Sequence, residues 1–249
     1  MLDETRALTR RFLELADRAE TRQTLVYSDF LNMNEQSVLQ TMRLRTPFVL
    51  WGGYALAERK VAVFGTADEE EAAACAPFSL LKIAPAAPKY ADPLTHRDFL
   101  GSILALGLRR EMVGDILPVD NCGYVFCMNT VANFLTDNLD RVRHTTVRIS
   151  EADRLPESLA AEPETQSLVV ASPRLDALLA AAFRLSRSEA QRLIAAERVY
   201  VDSRIVTRAD IALQENCMVS ARGFGRFRYC GLDRETKKGK LRVSVQIYK

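Results

Sequence analysis

The sequence predicts an α+β protein in two parts: an amino-terminal α/β sandwich over residues 1–150 and a small basic α+β domain over 173–249, joined by a linker at 151–172. Three observations predict it. Short apolar runs alternate with helix-period segments through the first 150 residues. An acidic stretch with two prolines, SEADRLPESLAAEPETQ, interrupts that alternation. Beyond Pro173, two capped helical segments are followed by short, arginine-rich strands.

Taken in order, residues 3–22 place Leu8, Phe12, Leu15 and Ala19 at helical spacing and predict an amphipathic helix. A second helix is expected over about 34–42. Residues 48–51 (FVLW), closed by Gly52-Gly53, and 60–64 (KVAVF) read as strands. The glycine pair lacks the spacing of either phosphate-binding motif and is not read as a phosphate loop. The acidic DEEEAAACA that follows reads as a loop or a short helix, and 78–83 as a strand. Thr95, with Asp98 three residues on, opens the clearest helix; Phe99, Ile103 and Leu106 line its face and Gly107 ends it. Residues 115–119 and 124–128 read as strands joined by a turn at Asn121-Cys122-Gly123, 129–139 as a helix and 145–149 as a strand. This order predicts one sheet with helices on one side. Residues 167–171 read as a strand leading into the second domain.

Composition narrows the class. With 48% hydrophobic and 27% charged residues the chain is an ordinary globular one. No apolar run approaches the ~18–20 residues of a membrane span, and the amino terminus lacks the apolar core of a secretory signal. A cytoplasmic protein without a membrane partner is expected. The five cysteines, Cys75, Cys122, Cys127, Cys217 and Cys230, form no C-x-x-C pair, so neither a disulfide framework nor a zinc site is expected. The net charge of +2 conceals a division. Residues 174–249 hold 16 Lys and Arg against 8 Asp and Glu, whereas the rest holds 18 against 24. A basic domain beside an acidic body points to a polyanion partner for the basic part.

Within 173–249, Leu175, Leu178, Leu179 and Phe183 form the apolar face of a first helix. Ser186, with Glu189 three residues on, caps a second helix that buries Ala190, Leu193 and Ile194. Residues 199–201, a turn at Asp202-Ser203 and a return strand at 204–206 make a hairpin; 217–221 is another strand, leading into the basic RGFGRFR. Arg187, Gln191 and Arg192 flank the start of the second helix, where backbone amides favour phosphate. Arg204 lies in the hairpin, and Arg222, Arg226 and Arg228 follow the last strand. Packed together, these arginines are expected to converge on one surface, and guanidinium forks suit phosphate oxygens. Phe224 and Phe227 either stack on bases or join the core; the core is favoured for Phe227.

The runs R-L-D-x-L-L from Arg174, L-S-R-S-x-A-x-x-L-I from Leu185 and R-V-x-V-D from Arg198 resemble the RNA-binding domain named after small-subunit ribosomal protein S-four. That resemblance implies two helices on a small sheet that bind RNA helices and junctions. It implies an RNA face at Arg174, Arg187, Ser188, Gln191, Arg192 and Arg204, and a structural role for Asp176. Its usual Asn-Gly turn is Asp202-Ser203 here, which leaves the turn type open.

A wider resemblance takes in the amino-terminal part. It rests on Ser28-Asp29-Phe30-Leu31 with Glu35-Gln36, on Gly52-Gly53-Tyr54 with Ala57-Glu58-Arg59-Lys60, and on His96-Arg97-Asp98-Phe99-Leu100-Gly101-Ser102 with Leu106-Gly107-Leu108-Arg109-Arg110-Glu111 and Gly114-Asp115-Ile116-Leu117. With the RGFGRF run from Arg222 and Thr236-Lys237-Lys238, the chain is similar to the YlmH family throughout its length. The resemblance implies an RRM-like amino-terminal region, ribosome association through the large subunit and its rRNA and through tRNA, a part in rescuing stalled ribosomes and links to cell division. Lys237 and Lys238 join the expected RNA-binding set.

In the amino-terminal part, Arg59, Lys60, His96, Arg97, Arg109 and Arg110 leave two readings open: a second polyanion contact, or a helix start organised by His96 and Asp98 with solvated arginines. The RRM-like sheet shows no match to the aromatic ribonucleoprotein motifs, which argues against base stacking on it. With only His96 and His144, no G-x-S-x-G elbow and no Cys–His pattern, no catalytic residue, metal or cofactor is expected. The expected function is a non-catalytic, monomeric RNA-binding protein; an RNA-modifying enzyme and a cell-division-linked interaction adaptor are the alternatives.

Overall fold

The computed structural model describes residues 2–160, 163–236 and 239–248. The chain divides into two units, Met1–Ala161 and Glu162–Lys249.

The first unit begins with α1 (Leu2–Arg22), β1 (Val26–Leu31), α2 (Met33–Thr41), β2 (Phe48–Trp51) and β3 (Lys60–Phe64), whose strands form an antiparallel sheet in the order β1-β3-β2. It continues with α3 (Glu69–Ala74), β4 (Phe78–Pro85), α4 (His96–Ala105), β5 (Val113–Val119), β6 (Cys122–Met128), α5 (Asn129–Asn138), β7 (Arg141–Val142), β8 (Thr145–Glu151) and α6 (Glu157–Ala160). Its second sheet has the order β5-β6-β4-β8-β7. Apart from the short β7, this is a split βαβ arrangement, β-α-β-β-α-β with the first and third strands central, as in an RRM.

The single sheet expected from the sequence is therefore two sheets. β1 is the strand that the periodicity hides. Ser28, 2% exposed, sits in its middle, where the ladder to β3 is interrupted between Tyr27 and Phe30. Its hydroxyl accepts from the Ala62 amide at 2.9 Å and so replaces a ladder acceptor. One face of this small sheet receives Phe12, Leu15, Ala16 and Ala19 of α1. Phe30, Val61 and Val63 share a different core with Leu80, Phe126, Phe99 and Ile103.

Local signals decide the helix starts. Asn32 Oδ1 accepts from the amides of Asn34 and Glu35 at 2.9 and 3.1 Å, and Glu35 returns a bond to the Asn32 amide at 2.7 Å. The Thr95 amide and hydroxyl both donate to Asp98 Oδ2, at 2.8 and 2.7 Å. Behind that cap Phe99 packs flat on β6, where a Cβ on Gly123 would come within 2.7 Å of its ring. The β5–β6 turn falls at Asp120-Asn121, with φ of 48° and 60°, rather than at 121–123. Two consecutive left-handed residues are what a two-residue hairpin turn of matching twist needs.

Asp115, 9% exposed on β5, ties the loop before β3 to the second sheet. It accepts from Tyr54 Oη at 2.8 Å and from the amides of Glu58 and Arg59 at 2.7 and 3.0 Å. The loop in turn lays Tyr54 on Phe126, rings stacked at 5.7 Å and 9°.

The second unit comprises β9 (Thr165–Val170), α7 (Leu175–Phe183), α8 (Arg187–Ala195), β10 (Val199–Val201), β11 (Arg204–Ile205), β12 (Met218–Ala221), β13 (Gly225–Glu235) and β14 (Leu241–Tyr248). They form one antiparallel sheet, β11-β10-β12-β13-β14-β9. The stretch 151–172, expected as a linker, thus holds α6 and the edge strand β9. β14, to which the sequence reading assigned no strand, joins β9 to the rest. Leu175, Leu178, Leu179, Ala190 and Ile194 pack on one face of this sheet, against Val199, Val219, Phe227, Val243 and Val245. Among the described residues no helix is long and apolar enough to cross a membrane.

Two substitutions test this framework in opposite directions. Gly101 lies inside α4, and a Cβ there meets nothing within 4 Å. Gly101→Ala is expected to stabilise the first unit by about 0.5–1 kcal/mol, read as a higher midpoint in urea. Asp115→Ala strands three donors and is expected to lower stability by about 2–3 kcal/mol in the same assay.

Candidate nucleic-acid interface

The basic residues of the second unit are organised by one carboxylate. Asp176, in the first turn of α7, has a side chain with 0% exposure. It accepts from Arg174 Nε and Nη2 at 3.2 Å each, from Arg187 Nη2 at 2.8 Å and from Gln191 Nε2 at 3.1 Å. Burial by itself would raise its pKa, but the bonds from Gln191, Arg187 and Arg174 outweigh it and hold the carboxyl below the ordinary aspartate value. The amides of Leu175 and Asp176 donate to Ile211 and Ala209, so this first turn is also fastened to the segment before β12. Ser186 caps α8: its hydroxyl accepts from the Glu189 amide at 3.2 Å, and Glu189 accepts from the Ser186 amide at 2.8 Å.

This arrangement brings together three of the expected RNA-face residues, Arg174, Arg187 and Gln191. The Arg174 and Arg187 side chains remain 40% and 50% exposed, so the forks are fixed at the base and presented at the surface. Ser188 and Arg192 are exposed four residues apart on α8, the spacing of one helix face. Arg204 pairs with Val201 across the β10–β11 hairpin and therefore shares the helix-bearing side of the sheet. Asp202 and Ser203 have φ of 47° and 65°, so the turn keeps the left-handed pair that Asn-Gly would supply.

The remaining arginines do not converge on that surface. Phe227 and Tyr229 point into the core, so the alternating Arg226 and Arg228 of β13 lie on the opposite face of the sheet. Arg222 is exposed in the turn after β12, its backbone bridged to Arg198 in both directions: Arg198 Nη2 donates to the Arg222 carbonyl and the Arg222 amide to the Arg198 carbonyl, each at 2.9 Å. Arg198 opens the R-V-x-V-D run but is not among the RNA-face residues expected from the sequence. Phe227 is fully buried, and Phe224, 41% exposed, leans on Phe183 with ring centroids 6.2 Å apart. Lys237 and Lys238 lie outside the described residues.

The six basic residues singled out in the first unit divide by their surroundings. Arg59 donates from Nε to the Val113 carbonyl at 3.0 Å and from Nη2 to the Phe30 carbonyl at 2.8 Å. Arg110 donates to the carbonyls of Val113 and Gly114. Burial lowers both, Arg110 to about 10 with help from Arg59, which leaves them cationic at neutral pH. The Arg59 fork links β1, at Phe30, to β5, at Val113, whereas Arg110 binds β5 alone. Desolvation and then Arg110 hold His96 below the ordinary imidazole value, so it is uncharged at neutral pH. Arg97 is exposed, Lys60 half-buried, and Arg109 pairs with Glu111 at 3.0 Å. On the sheet face where an RRM stacks bases, Phe126 is 4% exposed beneath Tyr54 and edge-on to Phe78.

Asp176→Asn is expected to destabilise the second unit by about 3 kcal/mol, because it leaves two guanidinium groups facing a neutral amide. The wild-type carboxyl has its pKa depressed by folding. Its contribution is therefore complete above the unfolded-state aspartate value and is lost as pH falls through the folded-state value. Urea midpoints measured from neutral to acid pH should converge for wild type and variant at the acid end.

Two family models match the chain. A putative RNA-binding domain in YlmH matches residues 78–155, which is the split βαβ half of the first unit, and the S4 domain matches residues 173–216. The Ribosome-associated protein quality control protein P2 of Bacillus subtilis (strain 168) is 28% identical over 256 residues, 99% of this chain and 96% of that protein. A solved structure, the cell division protein ylmH from Streptococcus pneumoniae, superposes with a TM-score of 0.48 at 20% identity, over 63% of this chain and 93% of that one. One chain thus joins a YlmH-type RNA-binding domain to an S4 domain, and it is similar along nearly its whole length to a ribosome-associated quality control protein.

Proposed function

We propose that this protein is a non-catalytic factor that binds structured rRNA and tRNA on the large ribosomal subunit and serves in the rescue or quality control of stalled ribosomes. The observation that carries the reading is the set of guanidinium forks fixed on Asp176 at the start of α7 and α8, in a domain of the S4 type. A fork held at its base loses little side-chain freedom when it meets a phosphate, so binding keeps more of its electrostatic gain. Arg192 and Arg204 extend that set on the same side of the sheet. The basic charge of residues 174–249 suits a polyanion of any sequence, and a relative named for ribosome-associated quality control supports the ribosome as its source. In this reading the protein acts in the cytoplasm as a monomer. Arg97, Lys60 and Arg109 supply a lesser contact from the first unit; Arg59 instead ties β1 to β5 through the Phe30 and Val113 carbonyls, and Arg110 is engaged with β5.

The test is sedimentation of the full chain with purified large subunits over a range of salt. Binding is expected at low salt and should weaken steeply as salt rises, since each phosphate contact releases a counterion. Charge reversal belongs at Arg192 and Arg204, because a carboxylate at position 187 would face Asp176 and confuse misfolding with lost binding. Arg192→Glu/Arg204→Glu is expected to weaken binding by about tenfold or more with an unchanged thermal midpoint. Full-strength binding by this variant would remove the helix side of the domain from the interface.

A further inference from the structure

We infer that the C-terminal domain carries a second RNA-backbone contact on the face of its sheet opposite the helices, centred on Arg234 and Arg242 where β13 and β14 run past the core. The inference rests on the proposed RNA-binding function and adds to it a second, separate surface.

Pairing across the β13–β14 ladder places Arg234 directly opposite Arg242. Like charges in directly opposed positions repel and destabilise a ladder, so a sheet keeps them only against some other gain. Among the described residues no ion pair takes in Arg234 or Arg242, and Nε of Arg242 is buried without any acceptor. An orphaned guanidinium donor beside a second guanidinium is a pair lacking its anion. The acidic groups nearby are otherwise engaged or placed. Asp233 accepts from Ser244 Oγ at 2.6 Å, Glu235 stands opposite Leu241, and Glu215 lies against Gly231.

The register also shows which face this is. Arg228 pairs with Gln246, and Arg226 with Tyr248, so Arg226, Arg228 and Arg242 share one side, with Val243 and Val245 on the other, under the helices. The next strand outward continues that side with Thr165, Ser167 and Val169, all exposed; Val169, 50% exposed, sits beside Arg242. Cations spread along the length of two paired strands, beside small hydroxyl side chains, suit a sugar–phosphate backbone rather than one compact anion. Because the helices and the Asp176 cluster lie across the sheet, the domain would hold RNA on both sides, joining two RNA segments through one small sheet.

The experiment uses the full chain and a fluorescein-labelled hairpin RNA with a single-stranded tail, with affinity read by anisotropy across a salt series. Arg234→Gln/Arg242→Gln is expected to weaken binding about tenfold at low salt and to reduce the log–log salt slope by about 1.5–2. Its thermal midpoint is expected to hold or rise, since a repulsive pair is gone. Unchanged affinity in the folded variant overturns the proposal, as does a lowered midpoint with unchanged affinity, which marks the pair as structural. If the double variant does not fold, Arg234→Gln alone, at an exposed position, should lower the slope by about 0.7–0.9, and no change there overturns the proposal equally. Arg192→Glu/Arg204→Glu runs in parallel: loss there with no loss at the sheet pair sinks this second contact and leaves the proposed function standing, whereas no loss in either sinks both.

Discussion

The second unit depends on a buried carboxylate that is never left without cations. Asp176 has no exposure, yet its first turn is sewn to the 209–211 segment and its oxygens take bonds from Arg174, Arg187 and Gln191. A lone carboxylate there would carry a large desolvation penalty, and two lone guanidinium groups would repel one another. Together they settle the angle at which α8 starts relative to α7. They also decide the orientation of the forks that reach solvent. In the proposed reading stability and recognition share one set of atoms, so a change to Arg187 cannot be read as a change in binding alone.

The first unit uses its aromatic residues in a way that bears on mode of binding. In an RRM the sheet face opposite the helices offers aromatic rings to unstacked bases. Here the corresponding ring, Phe126, is covered by Tyr54, and Asp115 holds the loop that brings Tyr54 there. Gly53, with φ of 93°, allows that approach, because a Cβ at this position would meet the Phe126 ring at 2.2 Å. The added β1-β3-β2 sheet completes a core instead of leaving a platform. A fold shared with single-strand binders therefore does not bring their stacking chemistry along.

The chain's charge follows the same division of labour. The acidic excess lies before residue 174 and the basic excess after it. In the first unit Arg59 and Arg110 are engaged with backbone carbonyls, Arg59 with those of β1 and β5 and Arg110 with those of β5. In the second, arginines appear on both sides of one sheet because alternate residues of a strand face opposite ways. Counting basic residues along the sequence finds the domain; only the register separates its two faces.

What the sequence by itself determined was local. Capping pairs such as Thr95 with Asp98 and Ser186 with Glu189 mark helix starts because the bonds span three residues. Helical periodicity marked α1, α4, α7 and α8, and the R-L-D and S-R-S runs marked the RNA-binding domain. LRVSVQIY alternates, yet β14 was not read as a strand, and its pairing with β13 and β9 is not a property of the segment itself. Tertiary structure decided the rest. β1 is hidden because Ser28 does the work of a backbone acceptor for Ala62, a residue 34 positions away. The second sheet, the covering of Phe126 by Tyr54 and the separation of Arg226 and Arg228 from Arg204 all follow from strand pairing between distant segments. A pattern that repeats along one segment does not encode which other segment it will meet, and here that meeting determines both the core and the faces left exposed.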